Sequence, residues 1–286
     1  MQLSLSVRIA EAPSKDRMTM PFDDFSKLAR RCGYDAICMR ASAAGVQTPC
    51  DRLAQIRKLL DELKLGVSMA TTDFNVPLNN VHGPDNLRDI GPHLDVALAL
   101  GARLIRVCLK NEADIAAARC AADQAAERGL RLVHQCHTDS LFETVDGILK
   151  ILDRINRDNF GLIYEPGNLL LCGQPYGRET LRRLAPRIMN VYLQNHRLDP
   201  AGKSRLTTRV RGEVQFADIP LWEPNGIDFE EVFAGLQAIN YTGTVTVHQA
   251  FAQLAGPEEA ATKSYEFLTR LGKFDSRPEP VAKQQP

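Results

Sequence analysis

Five polar side chains end short apolar runs in the second half of the chain, and together they could hold a metal ion or move a proton. They are Gln135, His137, Glu165, Gln194 and His248. Carboxylate and amide oxygens and imidazole nitrogens bind divalent transition metals, and imidazole also titrates near neutral pH. These residue types predict a metal-assisted active site if the fold brings them together.

The segment RLVHQCHTDS carries two of these side chains on one face of a predicted strand. Alternation puts Gln135 and His137 on that face and His134 on the other. Leaving such buried polar groups unpaired costs roughly 1–3 kcal/mol each. We therefore expect Gln135 and His137 to line a site in which His137 moves protons, with a self-satisfied polar cluster as the alternative. His134 is expected to pack between strand and helix.

The apolar run FGLIY ends abruptly at Glu165. A carboxylate is costly to bury there unless a cation or several donors receive it. We predict that Glu165 holds a divalent ion and that Asn168, in the turn that follows, binds substrate in the same cavity. The predicted metal ligands are Gln135, Glu165, Gln194 and His248. The predicted catalytic residues are His137, Glu165 and His248.

The elements that must position these residues alternate regularly along the chain. Predicted strands span residues 3–9, 36–40, 66–72, 103–109, 131–137, 160–165, 188–195 and 244–250. Predicted helices span residues 24–32, 51–64, 86–100, 112–128, 141–155, 178–184, 228–239 and 257–271. Strand and helix pairs of this kind predict an α/β fold, either a closed barrel or an open doubly wound sheet. Eight regular units favour a (β/α)8 TIM barrel, a single domain over residues 1–272, in which the carboxyl ends of the strands form one rim.

Two segments interrupt this alternation. Residues 195–225 are too long for an ordinary connection, and such insertions are commonly functional. The basic residues of this segment are Arg197, Lys203, Arg205, Arg209 and Arg211. We predict a lid that closes on substrate, with a solvated loop face as the alternative. Residues 273–286 are polar and contain proline, which predicts a disordered tail, with a docking arm as the alternative.

Composition and charge narrow the class of partner. The chain has 286 residues, of which 44% are hydrophobic, and its 35 basic and 35 acidic side chains cancel. A neutral chain has no overall field to attract nucleic acid or anionic lipid, so a small-molecule substrate is favoured. No run approaches the ~20 apolar residues of a membrane span, and the seven cysteines lack metal-binding spacing. We expect a cytoplasmic protein that binds no membrane, for which a homo-oligomer is compatible with the sequence.

These features resemble the xylose isomerase-like TIM barrels, a superfamily of sugar phosphate isomerases and epimerases with an apurinic endonuclease branch. The similarity covers about residues 3–271 and includes the segments PNGIDFEEVFAGLQ and INYTGTVTVHQ. It implies a divalent metal bound by glutamate on strand five, aspartate and histidine on strand six, histidine on strand seven and glutamate on strand eight. In this chain those positions hold Gln135, Glu165 with Asn168, Tyr192 or Gln194, and His248.

The departures from that pattern bear on both metal and reaction. Nitrogen-bearing ligands with one carboxylate favour Mn, with Co, Ni, Zn or Fe as other candidates. An epimerase uses two bases, one on each face of the substrate. A single effective base in this chain would favour β-elimination, hydration or decarboxylation instead. The residues predicted to bind substrate are Arg106, Asn168, Tyr192, His196 and Arg211, and Arg40 is a further candidate.

The resemblance and the residues together predict the class of function. We expect a metal-dependent isomerase or epimerase that acts on a small carbohydrate or keto-sugar through an enediolate. A keto-sugar lyase or dehydratase at the same site is the first alternative. A non-catalytic barrel that has lost its metal is the second. An apurinic endonuclease is disfavoured because the chain is neutral and few carboxylates lie at the predicted rim.

Overall fold

Eight parallel strands pair side by side and close into a barrel. The computed structural model describes residues 1–71 and 81–274. Its strands are β1 (Gln2–Ser6), β2 (Ala36–Met39), β3 (Gly66–Thr71), β4 (Leu104–Arg106), β5 (Arg131–Gln135), β6 (Phe160–Tyr164), β7 (Ile188–Leu193), β8 (His196–Leu198), β9 (Ser204–Thr208), β10 (Gly212–Asp218) and β11 (Thr244–Val247). Strands β1 to β7 and β11 form the barrel, with β1 paired to both β2 and β11. The predicted TIM barrel is confirmed.

Helices surround the barrel and bury their apolar faces against it. They are α1 (Phe22–Cys32), α2 (Cys50–Glu62), α3 (Gly91–Leu100), α4 (Asp114–Glu127), α5 (Val145–Ile155), α6 (Pro166–Leu171), α7 (Arg178–Leu184), α8 (Phe229–Ala238) and α9 (Pro257–Leu271). Helix α5 shows the pattern clearly, because Ile148, Ile151, Leu152 and Ile155 recur at helical spacing and are all buried. None of the helices in the described ranges is long and apolar enough to cross a membrane.

The inside of the barrel is layered along the strands. One layer is apolar or weakly polar and consists of Cys38, Met69, Leu104, Val133, Ile163 and Tyr192. Side chains two residues apart in a strand face the same way. The next layer toward the carboxyl ends therefore contains the polar residues Arg40, Arg106, Gln135, Glu165 and Gln194. The strand period itself thus carries the polar side chains to one end of the barrel.

The segment predicted as a loop over residues 195–225 is largely a separate sheet. Strands β8, β10 and β9 pair antiparallel in that order. Val214 and Phe216 alternate along β10 and are buried with Leu171, while Leu206 of β9 packs against them. The alternating apolar residues explain why a segment rich in arginine forms strands.

One short helix was not predicted, and two predicted segments extend beyond the described residues. Helix α6 directly follows Glu165 and was not predicted, because it has only six residues. The predicted tail over residues 273–286 lies outside the described residues from position 275 onward, so its disorder stays a prediction. The last residue of the predicted strand 66–72 also lies outside the described ranges.

Candidate active site

A cavity of about 420 Å³ opens at the carboxyl ends of the barrel strands. The predicted site residues that line it are Arg106, Gln135, His137, Asn168, Gln194, His196 and His248. Its volume falls in the range of small-molecule sites, roughly 300–1,000 Å³. Most of the predicted site residues thus meet in one place.

Glu165 is the buried carboxylate of this site, and three amides hold it. Its Oε2 accepts hydrogen bonds from Nε2 of Gln135 and, at 2.8 Å, from Nδ2 of Asn168. Its Oε1 accepts a hydrogen bond from Nε2 of Gln194. Burial raises the pKa of Glu165, and the opposing effects of the amide donors and nearby positive charges do not cancel the shift. The carboxyl group is therefore a stronger base than an exposed glutamate.

The turn after Glu165 positions both the side-chain amide of Asn168 and the ring of His196. Helix α6 places Asn168 so that Nδ2 also donates to the carbonyl oxygen of Cys136 at 2.8 Å. A Cβ atom at Gly167 would lie 2.8 Å from Cδ2 of His196 and 3.2 Å from the carbonyl oxygen of Gln194. Only glycine permits this approach, so the Pro-Gly-Asn turn has a role in positioning His196.

The two histidines predicted to be catalytic are neutral in this environment. Nδ1 of His137 lies 2.9 Å from the carbonyl oxygen of Thr138, so Nδ1 carries the hydrogen and Nε2 keeps the lone pair. Burial and the charge of Arg106 lower the pKa of His137 to about 3. Burial and Arg40 hold the pKa of His248 well below its ordinary value, and Nδ1 lies 3.0 Å from Oγ of Ser6. Both rings therefore act as uncharged hydrogen-bonding groups near neutral pH.

Two residues predicted to bind substrate lie away from the cavity. Tyr192 is fully buried beside His248, with ring centroids 3.7 Å apart, and its hydroxyl lies 3.2 Å from Sγ of Cys38. Arg211 is exposed, and its Nη1 donates to the carbonyl oxygen of Leu171 at 3.3 Å. Tyr192 supports the His248 ring, and Arg211 fastens the β9–β10 turn to α6.

The cavity also contains charged residues that were not predicted to be in the site. Arg8, Lys15 and Asp218 line it, and Glu11 joins Arg8 to Arg40. The alternation Ser4, Ser6, Arg8 was a sequence signal for the first of them. Lys15 and Asp218 carry no such signal, because they lie in a loop and in the segment whose strands were not predicted.

Asp218 forms a pair with His196. Oδ1 of Asp218 lies 3.0 Å from Nδ1 of His196. Although burial acts in the opposite direction, His196 and the hydroxyl of Ser204 lower the pKa of Asp218. The carboxylate therefore stays ionised, orients the ring and leaves Nε2 as the nitrogen that can exchange a proton.

The predicted metal site can be tested against these contacts. One observation favours a ligand at Gln135, whose Oε1 is buried without a partner among the described residues. Glu165, however, already accepts three amide hydrogen bonds, and within residues 1–71 and 81–274 no three His, Cys, Asp or Glu side chains form a metal-binding group. Four cationic side chains also line the cavity. A divalent ion at Gln135, Glu165, Gln194 and His248 stays a prediction, and this donor set does not fit it.

The chain belongs to the xylose isomerase-like TIM barrel family, whose sequence model matches residues 26–271. An inosose dehydratase from Geobacillus thermodenitrificans is 27% identical over 148 residues, which are 51% of this chain and 49% of that protein. The chain therefore spans about half the length of the curated relatives it matches.

Solved structures agree with the fold. The probable 3-DHS dehydratase AsbF from Bacillus anthracis superposes with a TM-score of 0.71 and 13% identity over 94% of this chain and 99% of that one. A xylose isomerase domain protein from Planctomyces limnophilus gives a TM-score of 0.71 and 16% identity over 94% of this chain and 95% of that one. At these identities the similarity shows the shared barrel.

Proposed function

We propose that this chain is a carbohydrate-modifying enzyme that removes water from a small keto-polyol through an enediolate. The observation that carries the proposal is Glu165, a fully buried carboxylate of raised pKa between amide donors beside the cavity. The inosose dehydratases among its curated relatives support elimination, whereas its structural neighbours include both a dehydratase and epimerases. Isomerase or epimerase chemistry is the second candidate, favoured by the family to which the chain belongs.

The first step in this proposal is removal of a proton next to the substrate carbonyl. Glu165 itself is buried behind the cavity-lining amides, so in this proposal one of its amide donors turns toward the substrate and frees a carboxylate oxygen, which takes the proton. The electron pair moves onto the carbonyl oxygen to form the enediolate. Arg106 lines the cavity, is buried and is close enough to Glu165 for the two charges to interact. A guanidinium held in a site of low dielectric constant stabilises a developing oxyanion. The raised pKa of Glu165 makes it a stronger base than His137, which becomes a hydrogen-bond acceptor for a substrate hydroxyl.

The second step expels the β-hydroxyl group. The electron pair of the enediolate re-forms the carbonyl, a double bond forms between the α and β carbons, and the hydroxyl leaves as water with a proton from His196. Asp218, whose Oδ1 lies 3.0 Å from Nδ1 of His196, orients the ring for this transfer. The proton on Glu165 then returns to solvent and His196 takes a proton from solvent, which restores both groups. A single base on one face of the substrate suffices for this reaction, whereas epimerisation needs a second one.

The test is hydrogen exchange and water loss from a panel of keto-polyols in deuterated water. We expect the wild-type protein to exchange the α-proton and release the dehydrated product. Glu165→Gln should slow exchange roughly 10²–10⁴-fold, the usual contribution of a positioned base, while the exposed control Glu213→Gln should not. If Glu165→Gln exchanges as fast as wild type while His137→Asn does not, His137 is the base. Epimers without water loss would establish the isomerase candidate instead.

The remaining expectations stay predictions. A small-molecule carbohydrate is the partner that we propose, consistent with a neutral chain. The cytoplasmic location and a homo-oligomer rest on the sequence argument alone.

A further inference from the structure

We propose that Arg8, Lys15 and Arg40 form an anion-binding subsite, so that the substrate is an acidic carbohydrate with a carboxylate or a phosphate group. The three side chains line the same cavity as the catalytic candidates. The carbohydrate part of this inference rests on the proposed function, whereas anion binding is measurable without turnover.

The Glu11 carboxylate accepts one hydrogen bond from the guanidinium group of Arg8 and one from that of Arg40, so other N–H donors of both groups remain available. Its Oε1 accepts from Nε of Arg40 at 2.7 Å, and its Oε2 accepts from Nη1 of Arg8 at 3.2 Å. Ser42 donates to Oε1 as well, at 2.6 Å. The terminal nitrogens of Arg40 and Nη2 of Arg8 donate to no residue in the described part of the chain. The Arg40 side chain is only 9% exposed, so these free donors belong to a largely buried group in a cavity.

Lys15 is brought to the cavity by a short closed loop. An isolated bridge between Glu11 and Met18 closes its base, and the amide of Lys15 donates to the carbonyl oxygen of Ala12 at 2.9 Å. Lys15 has a φ of 62°, in the left-handed region that residues other than glycine rarely adopt. Backbone strain of this kind concentrates at functional sites. Lys15 forms no ion pair with the residues that the structure describes.

The positive charges are close enough to repel one another. Burial and then Arg40 lower the pKa of Arg8 to about 10, despite the attraction of Glu11. Burial and then Arg8 and Arg40 lower the pKa of Lys15 to about 8. Arg106 contributes in the same direction to both. A bound anion would relieve this repulsion.

The free donors match the chemistry of an oxyanion. Guanidinium groups bind carboxylate and phosphate oxygens through parallel hydrogen bonds, and an ammonium adds a point charge. With an anion at Arg8, Lys15 and Arg40, the rest of a small polyol would extend through the cavity toward the side chains around Glu165.

Calorimetric titration with matched pairs of probes tests the subsite. Gluconate is compared with sorbitol, glucose 6-phosphate with glucose, and inorganic phosphate serves as the minimal probe. We expect at least one acidic member to bind about tenfold or more tightly than its neutral partner at low ionic strength, because a charge-assisted contact contributes about that factor. The gluconate and phosphate arms distinguish a carboxylate from a phosphate ligand.

Variants locate the binding. Lys15→Met should weaken the acidic probe about tenfold and leave the neutral one unchanged, and the exposed control Lys203→Met should alter neither. The double variant Glu11→Gln with Arg40→Met removes a buried charge pair together and should weaken acidic probes as well.

Two outcomes overturn the inference. One is equal or absent binding of the acidic and neutral probes, and the other is acidic binding that neither Lys15→Met nor the double variant weakens. Elimination from a neutral keto-polyol would still support the proposed function in either case. Conversely, anion binding without elimination would support the anion-binding subsite and contradict the proposed reaction.

Discussion

Glu165 combines a negative charge with complete burial, and this combination should make stability depend on pH. Its pKa in the folded protein is raised above the ordinary value of 4.5. The folded state therefore holds the proton that the unfolded state releases as the pH rises above 4.5. The stabilisation by this proton is complete below pH 4.5 and is lost as the pH rises through the raised pKa. A tenfold difference in proton affinity between the two states corresponds to about 1.4 kcal/mol of folding free energy.

Glu165→Gln should remove this dependence. We expect the variant to melt at a higher temperature than wild type at neutral pH, with a difference that shrinks as the pH falls toward 4.5. The amides of Gln135 and Gln194 can turn to pair with the new side chain. Thermal unfolding across pH measures the effect, with Glu213→Gln as the exposed control. An equal or lower melting temperature for Glu165→Gln at neutral pH would contradict the destabilisation that we attribute to the buried charge of Glu165.

Among the elements, the sheet of β8 to β10 covers part of the cavity through Leu206 and Phe216. Buried Glu143 is one of the anchors of its tip, the turn over residues 209–211. Glu143 accepts hydrogen bonds at 2.9 Å from the amide of Arg209 and at 3.0 Å from the amide of Val210. We therefore expect the sheet to open by release of this tip. None of the five basic residues of the segment is among the described residues that line the cavity.

Glu143→Ala should loosen the tip and expose it to trypsin. We expect faster cleavage after Arg209 and Arg211 than in wild type, because the two amides lose their acceptor. Glu213→Ala is the matched control, since that carboxylate is exposed and lies on the same sheet. Substrate should slow cleavage if the segment closes on it, as its length predicts. Identical cleavage patterns for the two variants would show that Glu143 does not hold the tip.

At the scale of the whole molecule, the charge distribution around the cavity argues against a tightly bound divalent cation. We expect the purified protein to contain substoichiometric Mn, Co, Ni, Zn and Fe, and its activity to survive a chelator. The reason is that the single carboxylate already accepts three amide hydrogen bonds and that four cationic side chains at the cavity would repel a divalent cation. Elemental analysis after reconstitution decides the matter. One ion per chain, lost in Glu165→Ala and weakened in Gln135→Ala, would establish the metal site predicted from the sequence.

The positive charges of the proposed anion-binding subsite predict how its affinity for anions varies with pH and salt. Lys15 is charged below its lowered pKa of about 8 and neutral above it. The affinity for a probe whose charge is constant in this range, such as gluconate, should therefore fall as the pH rises through about 8. Arg8, whose pKa is about 10, stays charged there, and Glu11, whose pKa is lowered, stays ionised. Titrations from neutral to alkaline pH should show this fall in wild type and a flat profile in Lys15→Met. Added salt should weaken binding in both.

The residue pattern alone predicts the barrel and the end of the barrel at which the cavity lies. Strand and helix periods differ, so eight alternations predict the fold without any knowledge of contacts. The period of two within a strand placed Gln135 and Glu165 on the inner face, and the structure has them in contact. His134, on the opposite face, is buried against Phe142 as expected.

The charge and the hydrogen bonding of the site depend on contacts between distant segments, which the residue pattern does not reveal. Lys15, Glu11 and Asp218 come from loops and from an inserted sheet, and no local period relates such residues to the barrel strands. Whether Glu165 meets a cation or amide donors depends on which side chains lie within 3 Å of it, and two of those three donors are about thirty residues away in sequence. Burial, which sets the pKa values of Glu165 and Lys15, likewise exists only once the chain has folded.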